Sequence, residues 1–391
     1  MANTLITPAI IAKEAALQLV NNLVFARLAN KQFKADFGMK VGDTVSYRKP
    51  VRFQSTSGAT LNLSNVTETS DTIVINSREH VAWPFFSKDL TLTVDEYTER
   101  YIKPAAIALA NKVDLDGAGL YKDVYNTVGV ATGSVDFDSM LDAKQKMTEF
   151  SVPQNDRFCA LRPASSRSLL GSLTANVFQP SLVEDITKEA SVGRLAGFDL
   201  FESQNALNHT AGTAATITLA SNPAEGATTV SLTAGTPGTL LKGDVITFEA
   251  CNAINPVNYQ DLGYAAQFVV TADVSVTTAT SVSISPALKS SASGAYQNVT
   301  ALPTTGADEV TLLASHKANL AFQRNAFSLV TVPIDTPDGV VWSESVEYQG
   351  LSLRLIKDYD IVNDREIARL DVLYGWKTTY PDLATRVLGS A

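Results

Sequence analysis

Residues 93–125 read TVDEYTERYIKPAAIALANKVDLDGAGLYKDVY, and this stretch decides the fold. Thr93-Val-Asp-Glu96 is a capping box, with a hydroxyl at the cap and a carboxylate three residues on. Apolar side chains then recur at Tyr97, Tyr101, Ala105, Ala108, Leu109, Val113 and Leu120. The spacing predicts one helix of roughly 30 residues, on the order of 45 Å long, where globular helices average about 11–12 residues. Pro104 lies inside the run and is expected to kink it near Tyr101.

Just upstream, Thr44–Lys49 and Asp71–Trp83 alternate and are rich in β-branched residues, so each reads as one strand. The polar tract Ser55–Ser70 between them makes a long hairpin with too few apolar residues for a core of its own. Such an arm beside so long a helix describes an elongated molecule rather than a compact enzyme. At the N-terminus, residues 8–29 fit an amphipathic helix with Pro8 at its start.

Downstream, Phe137–Thr148 reads as a helix capped by Asp136 or Asp138, Arg157–Leu161 as a buried strand, Pro163–Leu173 as a helix and residues 196–202 as a strand. Residues 210–315 differ: they hold 9 of the chain's 71 charged residues. Strand-like runs recur there at 215–219, 229–232, 245–249, 267–270 and 282–285, separated by turn signals such as Pro237-Gly238 and Lys242-Gly-Asp244. That spacing indicates a small β-barrel or sandwich, inserted into an α/β segment that resumes at 317–333. Val346–Ile356 and Glu366–Trp376 read as two more strands, separated by the acidic turn 358–364.

Composition excludes most chemistry. The 391 residues carry a formal charge of −9, two cysteines and three histidines, and 45% are hydrophobic. The chain is long enough for two or three cored domains, too apolar for disorder, and too poor in Cys and His for a disulfide scaffold or an ordinary zinc site. An acidic balance argues against wrapping nucleic acid. The N-terminus carries no secretory signal and no stretch is long enough for a membrane helix, so a soluble protein made in a cytoplasm is expected. The motifs GxGxxG, Walker A, GxSxG, HExxH and CxxC are all missing.

Asp114-Leu-Asp116-Gly117 matches part of a calcium loop, but its first ligand position would be Lys112. Asp358, Asp360 and Asp364 read as an acidic surface turn rather than a cation site. Cys159 and Cys251 read as buried thiols, and the tryptophans as core residues. No catalytic group, cofactor or metal is expected. The remaining candidates are charges. Arg48, Lys49 and Arg52 share the arm with Glu68, Asp71, Arg78 and Glu79, either pairing across the hairpin or setting register against a neighbouring chain. With Asp358, Asp360, Asp364 and Arg365 they form the set of candidate assembly contacts.

The order of elements, together with Tyr101-Ile-Lys-Pro-Ala-Ala-Ile-Ala-Leu-Ala-Asn-Lys-Val-Asp114, Leu241-Lys-Gly-Asp-Val-Ile-Thr-Phe248, Val282-Ser-Ile-Ser-Pro286 and Leu373–Asp382, resembles the major capsid proteins of tailed bacteriophages. The nearest subfamily is the podovirus coat proteins, of Hong Kong 97-type α+β fold with an inserted β-barrel. Relatives tend to show Arg-Pro-Glu where this chain has Tyr380-Pro381-Asp382. The resemblance implies an N-terminal arm (1–40), an E-loop hairpin (41–86) and a spine helix with peripheral domain (87–135). It further implies an axial domain (136–209, returning at 316–335), the inserted barrel (210–315), and peripheral strands with the C-terminus (336–391).

It also implies a subunit that self-assembles through pentamers and hexamers, with a scaffolding and a portal protein, into a shell enclosing double-stranded DNA. No membrane partner is implied. Some relatives crosslink by a Lys–Asn isopeptide; no Lys and Glu pair for it is identified here and none is expected. An encapsulin-like compartment shell is the alternative, for which a shorter chain without the insertion is expected. An adhesin would need an export signal, and an enzyme a catalytic constellation.

Overall fold

The computed structural model describes residues 15, 17, 23–32, 44–53, 68–86, 101–176, 193–306, 309–335, 337, 339–348, 351–363 and 365–390. They form two compact units: 1–48, 70–118 and 327–377 in the first, and 49–69, 119–326 and 378–391 in the second.

In the first unit, Thr44–Arg48 pairs antiparallel with Ser70–Val74, so the hairpin exists, while the polar stretch 54–67 lies outside the described residues. The expected single strand 71–83 is two strands. Ser70–Val74 keeps the hairpin partner, and Ser77–Phe86 pairs instead with Arg365–Thr378. Ile73 and Ile75 point into a small core with Tyr47 and Val330, which anchors the chain where its partner changes. Gly375 permits the change: a Cβ there would stand 2.4 Å from the Val74 carbonyl oxygen. The run 346–356 is also two strands. Trp342–Tyr348 pairs antiparallel with Leu351–Asp360, with Tyr348 opposite Leu351. Strand Arg365–Thr378 extends this sheet and joins it to Phe327–Thr331.

The long helix is described from Lys103 to Ala118, preceded by a wider π-turn at 101–102. Pro104 has no N–H to continue the regular ladder there. The helix does not run on to Tyr125 as expected. Beyond Ala118 it tightens into a 3-10 turn, Gly119–Asp123, at a point where Gly117 and Gly119 offer little helix propensity. The capping box at 93–96 and most of the N-terminal helix lie outside the described residues.

In the second unit a sheet runs in the order Thr127–Val128, Ala384–Ser390, His316–Gln323, Arg157–Leu161, Phe198–Glu202, Arg194–Leu195. Arg157–Leu161 is buried along its whole length and central, as its apolar run requires. Helix Phe137–Glu149 packs its Met140, Ala143 and Met147 on this sheet. Its cap is Asp136, whose carboxylate accepts the Ser139 N–H at 2.9 Å. Helix Pro163–Asn176 adds Leu169 and Leu173 to the same core. The strand Ala384–Ser390 went unread in the sequence, and the run 317–333 divides into His316–Gln323 and Phe327–Thr331, which belong to different sheets.

Six strands between Ala215 and Leu312 close into a barrel. Alternation drives it: in Thr229–Thr236, Val230, Leu232 and Ala234 face inward while Thr and Ser face out. Its core holds Phe248 and Phe268 with ring centroids 5.6 Å apart. Cys251 is inside strand Val245–Ile254, not after it, and is buried there. Phe150 packs against both the barrel core and the sheet core. The barrel hangs between Asn208-His209 and His316, which pair with one another beside the sheet.

Candidate functional site

Of the candidate charges, Arg48, Asp71, Arg78, Glu79, Asp358, Asp360 and Arg365 lie on strands. Arg48 ends the first hairpin strand, and the Lys49 N–H meets the Thr69 carbonyl at 2.8 Å. Arg52 and Glu68 are exposed, and Arg52 forms an ion pair with Asp382 at 3.0 Å. Asp71 accepts the Tyr47 hydroxyl at 3.3 Å and pairs with Lys377 at 3.2 Å. Glu79 faces Lys112 at 3.7 Å; Lys112 also reaches Asp116 at 2.6 Å, and those carboxylates hold its amine above the usual lysine range. Thus Arg52, Asp71 and Glu79 each have an ion-pair partner outside the hairpin.

At the far end of the sheet, Asp358 is exposed, and Asp360 accepts from Asn363, from the Val362 N–H and from Arg365 at 3.0 Å. The Asn363 amide and these donors hold the Asp360 carboxyl below its usual range. Asp364 lies outside the described residues. Between these ends sits an ionic cluster that sequence reading missed. Asp371 is fully buried; Arg354 meets it at 2.7 Å, Arg369 at 2.7 Å and Arg78 at 3.7 Å. Burial pushes that carboxyl up, but the Arg354 and Arg369 hydrogen bonds outweigh it and hold it low. Arg354 also donates to the Asp335 carbonyl. Only Arg78 of this cluster had been singled out, because the sheet register that aligns the others was not legible.

The sequence reading also missed a set of apolar side chains held in solvent. Ile361 and Val362 are 83% and 85% exposed at the turn between two long strands, and Phe53, Val257 and Val341 are similarly bare. Two adjacent β-branched residues in a turn of otherwise polar composition were the available signal. The two aspartates of the partial calcium motif are occupied within the fold. Asp114 accepts the N–H groups of Val24, Phe25 and Ala26, and Asp116 accepts the Tyr374 hydroxyl at 2.5 Å. Trp376 donates from Nε1 to the Val113 carbonyl at 3.1 Å. Burial drives the Cys159 thiol up to about 12, which leaves no thiolate for chemistry near neutrality. Among the described residues no group of three or more His, Cys, Asp or Glu could hold a metal ion, and no helix is long and apolar enough to cross a membrane.

The sequence matches the family described as P22 coat protein - gene protein 5 over residues 2–389. The chain belongs to the P22 coat protein family. It is therefore a major capsid protein of tailed phages, a subunit of the head shell, and the encapsulin alternative is not favoured. Its fold is of the Hong Kong 97 type with a closed six-stranded barrel. A solved structure from Mycobacterium phage Che8 is similar at TM-score 0.50 and 15% identity, over 93% of this chain and 90% of that one. The capsid structure of cyanophage P-SCSP1u aligns at TM-score 0.44 and 12% identity, over 89% and 84%. The CUS-3 coat protein I-domain aligns at TM-score 0.20 and 22% identity, over 26% of this chain and 97% of that one. No curated protein matches.

Proposed function

We propose that this coat subunit assembles with copies of itself as pentamers and hexamers, guided in the host cytoplasm by a scaffolding protein and joined by a portal protein at one vertex. In this reading the hairpin within residues 41–86 is an E-loop whose outer part, beyond strands Thr44–Arg48 and Ser70–Val74, lies over a neighbouring subunit. The first compact unit carries the peripheral domain, and the second carries the axial domain with the barrel 210–315 inserted. The shell encloses DNA without reading its sequence. A charge of −9 suits that task, because an acidic wall repels packaged phosphates.

The observation that carries the reading is the set of large apolar side chains, Ile361 and Val362 in the turn after strand Leu351–Asp360 foremost, presented to water. A solitary protein gains nothing from that exposure, whereas a lattice of copies buries it. The arm is tested by replacing residues 54–67 with a short Gly-Ser link, since Lys49 and Thr69 are already hydrogen-bonded neighbours. We expect a folded monomer, by circular dichroism, that gives no regular shells in negative-stain micrographs when co-expressed with its scaffolding protein. Shells of normal size and yield would refute the role given to the arm.

A further inference from the structure

The chain leaves the sheet of the second unit at Asn208-His209 and rejoins it at His316-Lys317, so a histidine stands at each end of the inserted barrel. The two are opposite one another in register, buried, with ring centroids 5.2 Å apart. His209 Nε2 donates to Asp244 Oδ1 at 2.7 Å, since a carboxylate only accepts. Its Nδ1 then accepts from the Tyr121 hydroxyl at 3.1 Å. Asp244 belongs to the barrel turn and is fully buried. Its Oδ2 also takes the N–H of Leu241 at 2.7 Å and of Gly212 at 3.0 Å.

Gly212 reaches that carboxylate only because it lacks a side chain: a Cβ would stand 2.0 Å from the Thr239 carbonyl oxygen. Arg386, on the sheet's C-terminal strand, crosses the same seam. It donates from Nε to the Val124 carbonyl and from Nη1 to the Gly243 carbonyl, both at 2.8 Å, with Tyr121 beneath its guanidinium. His316 Nδ1 donates to the Ala314 carbonyl at 2.8 Å, which leaves Nε2 with a lone pair. That nitrogen, like Arg386 Nη2, is buried without a hydrogen-bond partner.

We propose that this cluster is a latch seating the barrel on the sheet, and that uptake of one proton by His316 opens it, so that mild acid releases the barrel while barrel and sheet both stay folded. The groups around the imidazole are His209 from the adjoining strand, Arg386 from the C-terminal strand and Asp244 from the barrel turn; Tyr121 from the 3-10 turn meets His209 and Arg386. Asp123 lies near Arg386. A proton on Nε2 sets a second cation against a buried guanidinium. The nearby carboxylate of Asp244 is already engaged by three N–H donors.

Burial holds the His316 ring down to about 4, with Arg386 and His209 acting in the same direction and the Ala314 carbonyl and Asp244 opposing. The ring is therefore neutral in the seated state and takes a proton more readily once hydrated. Seating weakens as pH falls from the ordinary histidine value, about 6.5, towards about 4, by about tenfold in the opening constant per pH unit, and weakens no further below.

The full-length monomer tests this directly. Only three histidines are present, so ring resonances are assigned by single substitutions. Hydrogen exchange at Gly212 and Leu241, normalised to unstructured-chain rates, should lose protection about tenfold per unit between pH 6 and 5, while Phe248 and Phe268 in the barrel core keep theirs. The His316 ring should titrate at about 4, well below the ordinary histidine value of about 6.5. In His316→Phe, which keeps the stack with His209, the seam should hold steady across this range. Three results each overturn the latch: parallel loss at seam and core, an unchanged acid response in His316→Phe, or a His316 titration near 6.5 without seam opening.

Discussion

Asp371→Asn is the sharpest test of the energetics in the first unit. The substitution keeps the shape of the side chain and removes its charge. Arg354, only 7% exposed, then loses its counter-ion, while its guanidinium stays out of water. Removing one partner of a buried pair costs about 3–5 kcal/mol, because the remaining charge is left uncompensated. Arg369 and Arg78 are 36% and 48% exposed, so water screens them and their share adds well under about 1 kcal/mol.

Urea unfolding of the monomer followed by tryptophan emission isolates this effect, since Trp83, Trp342 and Trp376 all belong to the first unit. At an m-value of about 2 kcal/mol/M the midpoint should fall by about 2 M. The difference should also depend on pH. Asp371 is held below its usual range, so its contribution is complete above about 3.8 and is lost as pH falls through the lowered folded value. The variant lacks that dependence, and the two proteins should converge in strong acid. A midpoint change under about 0.5 M, or a gap that does not narrow as pH falls into strong acid, would refute the reasoning.

Other outcomes follow from the same structure. Lys146 donates to Gln267 Oε1 at 2.5 Å and the Thr127 carbonyl at 3.0 Å, and burial lowers its amine to about 7. Stability of the second unit should therefore rise with pH from about 7 towards 10, by at most about 1.4 kcal/mol per unit, and calorimetric scans of Lys146→Met should lose that slope. Arg386→Met orphans two buried carbonyls and should cost about 2–4 kcal/mol in thermal unfolding. Gly375→Ala forces a Cβ against the Val74 carbonyl and should cost about 1–3 kcal/mol in the urea assay. Ile361→Asp with Val362→Asp should leave monomer stability within about 0.5 kcal/mol and abolish shells in sedimentation profiles.

Local chemistry was legible wherever one element settled its own conformation. The helix start capped by Asp136 or Asp138, the largely apolar Arg157–Leu161 strand and the alternating barrel strands could be read directly, because each signal lies within a few residues. What escaped depends on partners far away in sequence. Nothing local shows that the chain changes sheet partner after Val74, since alternation continues across the change; only Gly375, some 300 residues later, makes room for it. The end of strand Trp342–Tyr348 was hidden by an alternation that runs on past Tyr348 in the sequence. The Asp371 cluster draws on three strands and the His209–Asp244–Arg386 seam on a still wider span, so neither leaves a motif. The charges chosen on the arm were sensible by type. Their observed partners, Asp382, Lys377 and Lys112, come from segments that no hairpin argument reaches.

The pairing of Asn208 with Lys317 and of His209 with His316 has a consequence for what the fold can accept. The exits of the insertion are already neighbours in a ladder, so the spliced segment adds no closure cost to the sheet. The junction is a socket, open to a short reverse turn or to a foreign module whose ends lie one strand spacing apart. A replacement has to satisfy two buried groups that remain behind, offering a carboxylate to His209 and a carbonyl to Arg386. A graft that meets both conditions should leave the shell lattice intact, and one that ignores them should fail at the graft site rather than at its contacts with other subunits.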